Sequence, residues 1–534
     1  MQRDTDTPPP EGPVSGGGHG DTATVRPTLP PLGANPARLL ALPGSVASNQ
    51  HRDTVVAMVE ALDPDAIVAT PPQPGTVGAT LPATEIPVLS PGRSRSPETT
   101  TALDNKILIA TIPSETRDIE AAAVRADDGV VQDDETAPAA EAHRVCLTTL
   151  VSLEIDPYTR SAGLKHLDTY ANQLPDGWLS TATHCSTALR AGYRTTTHVD
   201  GGSVSLVGIG QTEAALGVGV DDTDGADPAL VEVFDNGAVS VESVAPEAFG
   251  LRGVEEVGEK RADRLRRAGY TDPIDVGDAP PHELADLSGL GRSTATTIQA
   301  AANAQAHDEV VPTGDDSLPY GDPIFIDIET DGREPSCAWL IGVLDGGPEN
   351  GHYMAFGEGE PGDIGHLEAF LNWMDANGEG RPLVAWYGYN FDFPVLRDQI
   401  QQHCPEYLDR WDDWYQFDLL WWCRDKNGGN VVLPGRSNKL EPVAKALGWE
   451  PETTGIDGGV VAEVYTAYRR EWLSTDDPST VSEPDWDRLK RYCEDDVRAL
   501  ATIWEACSDA ARREPGTSTE STDTGTQGAL SDFS

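Results

Sequence analysis

The chain has 534 residues, 88 of them Asp or Glu against 38 Lys or Arg, for a formal net charge of -50. That length exceeds a single core, and 41 Pro with 53 Gly assign much of it to loops, so a multidomain α/β protein is expected. Seven scattered Cys with no Cys-x2-Cys pair exclude a disulfide framework and a zinc-ribbon pattern, and no apolar run reaches the length of a membrane span or a secretory leader. The expectation is a cytoplasmic protein with no membrane partner. Seven Lys against thirty-one Arg in so acidic a chain resembles proteins of cells that accumulate molar salt. At such salt, phosphate contacts by basic side chains lose most of their value, so acidity does not exclude nucleic acid.

Residues 1–36 are rich in Pro, Gly, Thr and Asp and read as a disordered tail. Residues 37–248 read as an α/β domain of uncertain fold. Strands are expected at 39–42, 65–69, 106–112, 145–150 and 204–209, and a helix at 53–62. Asn236-Gly237 signals a hairpin between 230–234 and 238–244, and loops rich in Pro, Gly or Asp interrupt the block near 71–97 and 126–142. His184 near His198, with Asp221, Asp222 and Asp224, forms a candidate metal cluster in a layout that faintly resembles a calcineurin-like phosphoesterase. The Asp-x-His and Gly-Asn-His of that family are absent. These residues are therefore read as surface loops of an inert or protein-binding domain, whose function the sequence does not disclose.

Residues 249–306 carry the same pattern twice. Gly253-Val254-Glu255-Glu256-Val257-Gly258 leads into a helix at 259–268, and Leu287-Ser288-Gly289-Leu290-Gly291 into one at 292–302. This resembles a tandem helix-hairpin-helix module of DNA repair and recombination proteins. A Gly-x-Gly hairpin at a helix start exposes backbone N–H groups that, with the helix dipole, hold a phosphate. The expected nucleic-acid contacts are Gly289, Gly291, Gly258, Lys260 and Arg292. The second hairpin is the better site, with Ala295 where its helices pack. The first has Glu256 where the family has Gly, although Lys260, Arg261, Arg264 and Arg267 cluster on its helix. The alternative is a protein-protein packing unit.

A polar linker at 307–319 precedes the last ordered block, 320–513, which holds eleven of the twelve Trp. Strands at 324–328, 338–344 and 352–356, a helix at 363–376 and a strand at 382–386 suit a mixed sheet with helices on both faces. Within the strand-like IFIDIET at 324–330, Asp327 and Glu329 stand two apart and so point the same way. Two like charges on a buried strand are costly unless a cation lies between them. Asn390-Phe391-Asp392 follows the fourth strand. Tyr492 and Asp496 lie one turn apart on a long helix at 485–513, beside the apolar stripe Leu489, Cys493, Val497, Leu500, Trp504 and Cys507. Any one of these acids carries little weight in so acidic a chain; four carboxylates in this order, with a Tyr four before the last, are what a two-metal phosphodiesterase needs. Trp386, Tyr387 and Tyr389 offer faces on which unstacked bases can sit, although such rings are more often core. Residues 514–534 read as a second disordered tail.

On these residues the block resembles the DEDDy-type 3'-5' exonucleases of the ribonuclease H-like superfamily, specifically the YprB-like predicted exonuclease domains. Phe417-Asp418-Leu419, Ser437-Asn438-Lys439-Leu440 and Gly458-Gly459 fit the connecting pattern. The resemblance implies a ribonuclease H-like fold, two divalent ions (Mg or Mn) on Asp327, Glu329, Asp392 and Asp496, and a water oriented by Tyr492. It implies a 3'-5' exonuclease acting on nucleic acid ends, DNA in preference to RNA because of the adjacent module. The alternatives are a non-catalytic nucleic-acid-binding scaffold that keeps the fold, an RNA exonuclease, or a structure-selective endonuclease.

Overall fold

The computed structural model describes residues 26–81, 86–92, 98–112, 142–156, 161–175, 177–199, 202–210, 227–332, 335–424, 429–435 and 437–512. The N-terminal block contains β1 (Ala37–Pro43), α1 (Gly44–Asn49), α2 (Arg52–Leu62), β2 (Ala66–Thr70), α3 (Val77–Thr80), β3 (Val88–Leu89), β4 (Thr99–Ala102), β5 (Ile107–Thr111) and β6 (His143–Thr148). It continues with β7 (Ser152–Asp156), β8 (Ser161–Lys165), α4 (Leu167–Ala171), α5 (Trp178–Thr181), β9 (Thr183–Arg190), β10 (Arg194–Val199), β11 (Gly202–Gly210), β12 (Ala229–Val233) and β13 (Val239–Ser243).

Two mixed sheets result, ordered β13-β12-β1-β2-β3 and β10-β11-β9-β6-β5-β4. Their inner faces meet, Leu39, Val68 and Val231 of the first against Ile109, Val145 and Ile209 of the second. The outer face of the first sheet packs on Val55, Met58 and Val77 of α2 and α3. The outer face of the second packs on Tyr170 and Trp178 of α4 and α5. Strands covered on both faces must be apolar at consecutive positions, which is why β1, β2 and β5 read as unbroken apolar runs. His184 is therefore not in a surface loop. It is buried on β9, with Nδ1 2.7 Å from the Tyr170 hydroxyl and Nε2 3.1 Å from the Leu179 carbonyl oxygen. Burial pushes its pKa down to about 4. Both ring nitrogens are taken, so His184 is a satisfied core histidine. The His198 side chain and Asp221, Asp222 and Asp224 lie outside the described residues.

The helical module comprises α6 (Glu259–Ala268), α7 (Pro273–Asp278), α8 (Pro281–Ala285) and α9 (Arg292–His307) around Leu265, Val276, Leu284, Leu290, Ala295 and Ile298. The segment expected as a polar linker then forms β14 (Val311–Pro312), which pairs antiparallel with β20 (Val431–Val432) of the last block. Val432 also packs into the helical core, so the module is seated on its neighbour rather than tethered to it.

The C-terminal block contains β15 (Ile324–Thr330), β16 (Ala338–Asp345), β17 (His352–Gly357), α10 (Gly365–Asn377), β18 (Leu383–Ala385), α11 (Asp392–His403), α12 (Leu408–Asp413), β19 (Gln416–Asp418) and α13 (Leu419–Arg424). After β20 come α14 (Leu440–Ala446), α15 (Gly458–Ser474) and α16 (Trp486–Arg512). The sheet order is β17-β16-β15-β18-β19, antiparallel through β15 and parallel from β15 onward. Alternation along β15 sends Ile324, Ile326 and Ile328 against α10 and α11, and Phe325 against Leu500 and Trp504 of α16. Asp327 and Glu329 share the parity of Phe325 and so face α16.

The expected tail at 1–36 divides. Residues 1–25 and 513–534 lie outside the described residues, whereas from Arg26 onward the chain runs along the C-terminal block. Arg26 pairs with Glu471 at 2.8 Å, donates to the Ser482 carbonyl and lies over the Tyr468 ring. Leu29 packs on the cluster that includes Trp339, Val461 and Tyr465, and Thr454 donates to the Ala34 carbonyl at 3.1 Å.

Candidate functional site

β15 places two carboxylates on one face, and three further elements bring the rest of the expected set to them. β18 pairs only with Ile324 and Phe325, so the far half of that edge of β15 has no strand partner. Into this gap comes Asp392, the first residue of α11, whose buried carboxylate lies near the Ile328 N–H, between Asp327 and Glu329, which favours its charged form. From the opposite side α16 crosses β15 and β16, held by the Tyr353 hydroxyl, which donates to the Lys490 carbonyl at 2.9 Å. Tyr492 and Asp496, one turn apart on α16, meet there, and the Tyr492 hydroxyl lies near enough to the Asp496 carboxylate to favour its charged form.

Electrostatics record the closeness. Burial, then Asp496, Glu329 and Asp392 in that order, push the Asp327 carboxyl well above the usual range. Burial, Asp496 and Asp392 do the same to Glu329. Burial lifts Asp392 to about 7 and, with Glu441 next, lifts Asp496 to about 8. Among the described residues no Lys or Arg pairs with any of the four. Uncompensated carboxylates in a desolvated site are the donor set for a hard divalent cation. The five positions expected from the motifs thus lie within electrostatic reach of one another, although among the described residues Asp392 and Asp496 belong to no group of three with ligand atoms within 4.8 Å.

Three neighbours escape a reading of the sequence. Cys493, counted there only as part of an apolar stripe, has its Sγ 3.7 Å from Asp327 Oδ2, and ligand atoms of Asp327, Glu329 and Cys493 lie within 4.8 Å of one another. Its position next to Tyr492 was the one available signal. Glu441, at the start of α14, acts electrostatically on both Asp496 and Tyr492 while paired with Lys445 at 2.5 Å. Asp418, named in the sequence only within the connecting pattern and given no site role there, is buried at the end of β19, acts electrostatically on Asp392 and accepts from the N–H groups of Tyr389 (3.1 Å) and Trp421 (3.0 Å).

In the helical module Gly258 and Gly291 occupy the N-cap positions of α6 and α9 in extended conformation. Neither helix start has a side-chain cap, and nothing approaches either glycine within 4 Å of where a Cβ would sit. Their leading N–H groups are thus left without a capping side chain, and Lys260 and Arg292 are exposed in the first turns. Gly289 has φ +82, and a Cβ there would meet the Arg264 guanidinium. Glu256, at the matching position of the first hairpin, has φ +66 and is bonded by Arg261 at 2.6 Å. Arg261 is therefore committed to its own hairpin, and the expected basic cluster is reduced by one.

A family model of the RNase_H superfamily matches residues 324–508, and one described as a SAM-like helix-hairpin-helix tandem matches residues 250–304. No match was found among curated proteins. The two matched stretches coincide with the five-stranded block and with the paired hairpins, and together they indicate a nuclease or nucleic-acid-binding function. The chain thus carries a ribonuclease H-superfamily domain at 324–508, preceded by a tandem helix-hairpin-helix module.

Proposed function

We propose that the protein is a metal-dependent 3'-5' exonuclease that hydrolyses phosphodiester bonds at nucleic acid ends, DNA in preference to RNA. One observation carries this reading: four carboxylates from β15, α11 and α16, two buried and two half-buried, raise one another's pKa with no Lys or Arg paired to them among the described residues. In the free protein that arrangement is unfavourable, and bound divalent cations turn it favourable. Asp327, Glu329, Asp392 and Asp496 would hold two ions, Mg or Mn. Bound there, such ions supply Lewis-acid stabilisation of phosphoryl charge and a lowered pKa for water. Tyr492, its hydroxyl near Asp496, orients the attacking water and need not donate or accept a proton in the step. Asp392, buried at the start of α11 near the Ile328 N–H, keeps its carboxylate by β15. The uncapped helix starts at Gly258 and Gly291 hold the nucleic acid away from the site.

The test is incubation of the full chain in molar KCl with Mn or Mg and 5'-labelled single-stranded DNA, duplex DNA and RNA. A descending ladder from the 3' end is expected, absent in Asp327→Ala and in chelator. A single internal cut, or cleavage that survives Asp327→Ala, overturns the reading.

A further inference from the structure

The parallel half of the sheet ends in a group of exposed aromatic rings beside the carboxylates. β15, β18 and β19 run parallel, so their C-terminal ends lie on one edge. β15 ends there in Glu329 and Thr330, β18 leads into residues 386–391, and β19 ends in Asp418 and leads into α13. That edge carries Tyr387, Tyr389 and Trp421, which are 53%, 42% and 52% exposed. Five aromatic side chains among the described residues are this exposed, and three of them are here.

The rings are held in place by buried groups. One carboxylate, Asp418, accepts from the N–H of both Tyr389 and Trp421, and its charge acts on Asp392. The Tyr389 and Trp421 rings stand 6.1 Å apart, edge to face. Beneath them Gly388 lets the chain close on Phe393 and Ala385, where a Cβ would come within 2.7 Å of both. Trp386 is fastened through Nε1 to the Asn438 carbonyl at 3.0 Å. Tyr387 is held at φ +62, a left-handed conformation costly for a residue with a bulky side chain, and its carbonyl accepts from the Asn390 N–H to close the turn. A strained backbone that exposes a large ring gains nothing for the core.

We infer that Tyr387, Tyr389 and Trp421 form a stacking platform for the unpaired bases that lead up to the 3' end at the carboxylate site. The occupant follows from charge and continuity. Among the described residues no Lys or Arg lies over these rings, whereas base faces need no cation, and aromatic stacking keeps its strength at salt concentrations that remove phosphate contacts. Tyr387 and Tyr389 closely precede Asp392 in the chain, so a strand on the platform can bring one end to the carboxylates. A duplex end does not fit the role, because its base faces are already covered except for the last pair.

The inference uses the exonuclease reading only to say which end of the strand is held, and its test involves no turnover. Binding of fluorescent oligo-dT, oligo-rU and an abasic strand of the same phosphate number, each about twelve residues long, is measured in molar KCl with Ca2+ in place of Mg or Mn. Trp421→Ala and Tyr387→Asn are expected to weaken oligo-dT or oligo-rU roughly five- to a hundredfold while leaving the abasic strand unchanged. Trp421→Phe should keep most of the affinity, and oligo-dT should quench Trp421 fluorescence. The tighter of dT and rU identifies the sugar. Folding of each variant is checked by thermal melting; should Trp421→Ala fail to fold, Trp421→Phe and Tyr387→Asn carry the comparison. Parental oligo-dT and oligo-rU affinity in folded variants, or equal losses on the oligo-dT and abasic strands, overturns the platform. A platform confirmed in binding while no metal supports cleavage would remove the exonuclease reading and leave this one standing.

Discussion

Three consecutive acids on α16 show how placement, rather than residue type, decides what a carboxylate does. Glu494 points along the helix to Arg498 at 2.6 Å, and Asp495 turns away to accept from the N–H groups of Glu452 and Thr453. Asp496 alone faces β15, where burial and then Glu441 raise it to about 8 from 3.8. An acid whose folded pKa is raised binds more protons folded than unfolded, so stability falls as pH rises between those two values and is flat above. In chelator, Asp496→Asn should therefore melt higher than the parent above pH about 8, by an increment on the order of a few kcal/mol, with the gap closing near pH 4. Mn should raise the parent's melting temperature and have little effect on the variant's. A variant no more stable than the parent at alkaline pH would mean that Asp496 is not under the strain assigned to it. Tyr492→Phe removes a hydroxyl and no carboxylate, so it should keep the Mn-induced shift while cleavage slows roughly ten- to a thousandfold. Loss of the Mn shift in this variant would make Tyr492 part of the metal-holding set instead.

At the scale of elements, the site depends on how closely α16 approaches the sheet. Gly342 on β16 sits opposite Asp327, and a Cβ there would collide with Cys493 Sγ and press on the Tyr353 ring at 3.2 Å. A side chain at 342 must push away the helix that carries Tyr492 and Asp496. Gly342→Val is expected to cost roughly 1–3 kcal/mol of stability and to lower Mn affinity more than that loss accounts for. Cys493→Ala in the same chain should recover part of both, a coupling that a double-mutant cycle on melting temperature and Mn titration measures. Additive effects would show that the helix is positioned elsewhere. Neither Gly342 nor Cys493 signals this role in the sequence, because closeness between a strand and a helix 150 residues downstream has no local pattern. What was legible were features with a period: the alternation that aligns Asp327 with Glu329, the i,i+4 pairing of Tyr492 with Asp496, and the repeated glycine hairpin. In the N-terminal block the unbroken apolar runs at β1, β2 and β5 gave strands but not their sandwich partner. β9 and β10, with Thr, Ser and His in place of Val and Ile, escaped notice. His184 was misplaced for the same reason: its partner Tyr170 sits on another element, and only the fold brings them to 2.7 Å.

Across the whole molecule the three blocks are bound to one another rather than strung on linkers. β14 pairs with β20, Arg424 reaches Glu255 at 3.1 Å, Lys439 reaches Glu242 at 2.9 Å, and the segment from Arg26 runs along the C-terminal block. Under the proposed function, a strand held at the helix-hairpin-helix module is presented to the carboxylates by a fixed body, and holding and cutting become separable by substrate length. Gly291 provides the test. A side chain there meets nothing within 4 Å, and its φ of -81 is open to any residue, so Gly291→Val should fold as the parent does. The same side chain would cover the free N–H groups at the start of α9 and block a phosphate from them. Binding to long DNA is therefore expected to weaken severalfold or more, while the rate on an oligonucleotide too short to reach the module stays at the parental value. Because the lost contact uses amides rather than charged side chains, the variant and parent should show nearly equal dependence of binding on KCl. Binding across a KCl series, with rates on short and long substrates, measures both. If the folded variant binds long DNA as the parent does, the module is a packing unit for its neighbours, and the preference for DNA rests on nothing else in the chain.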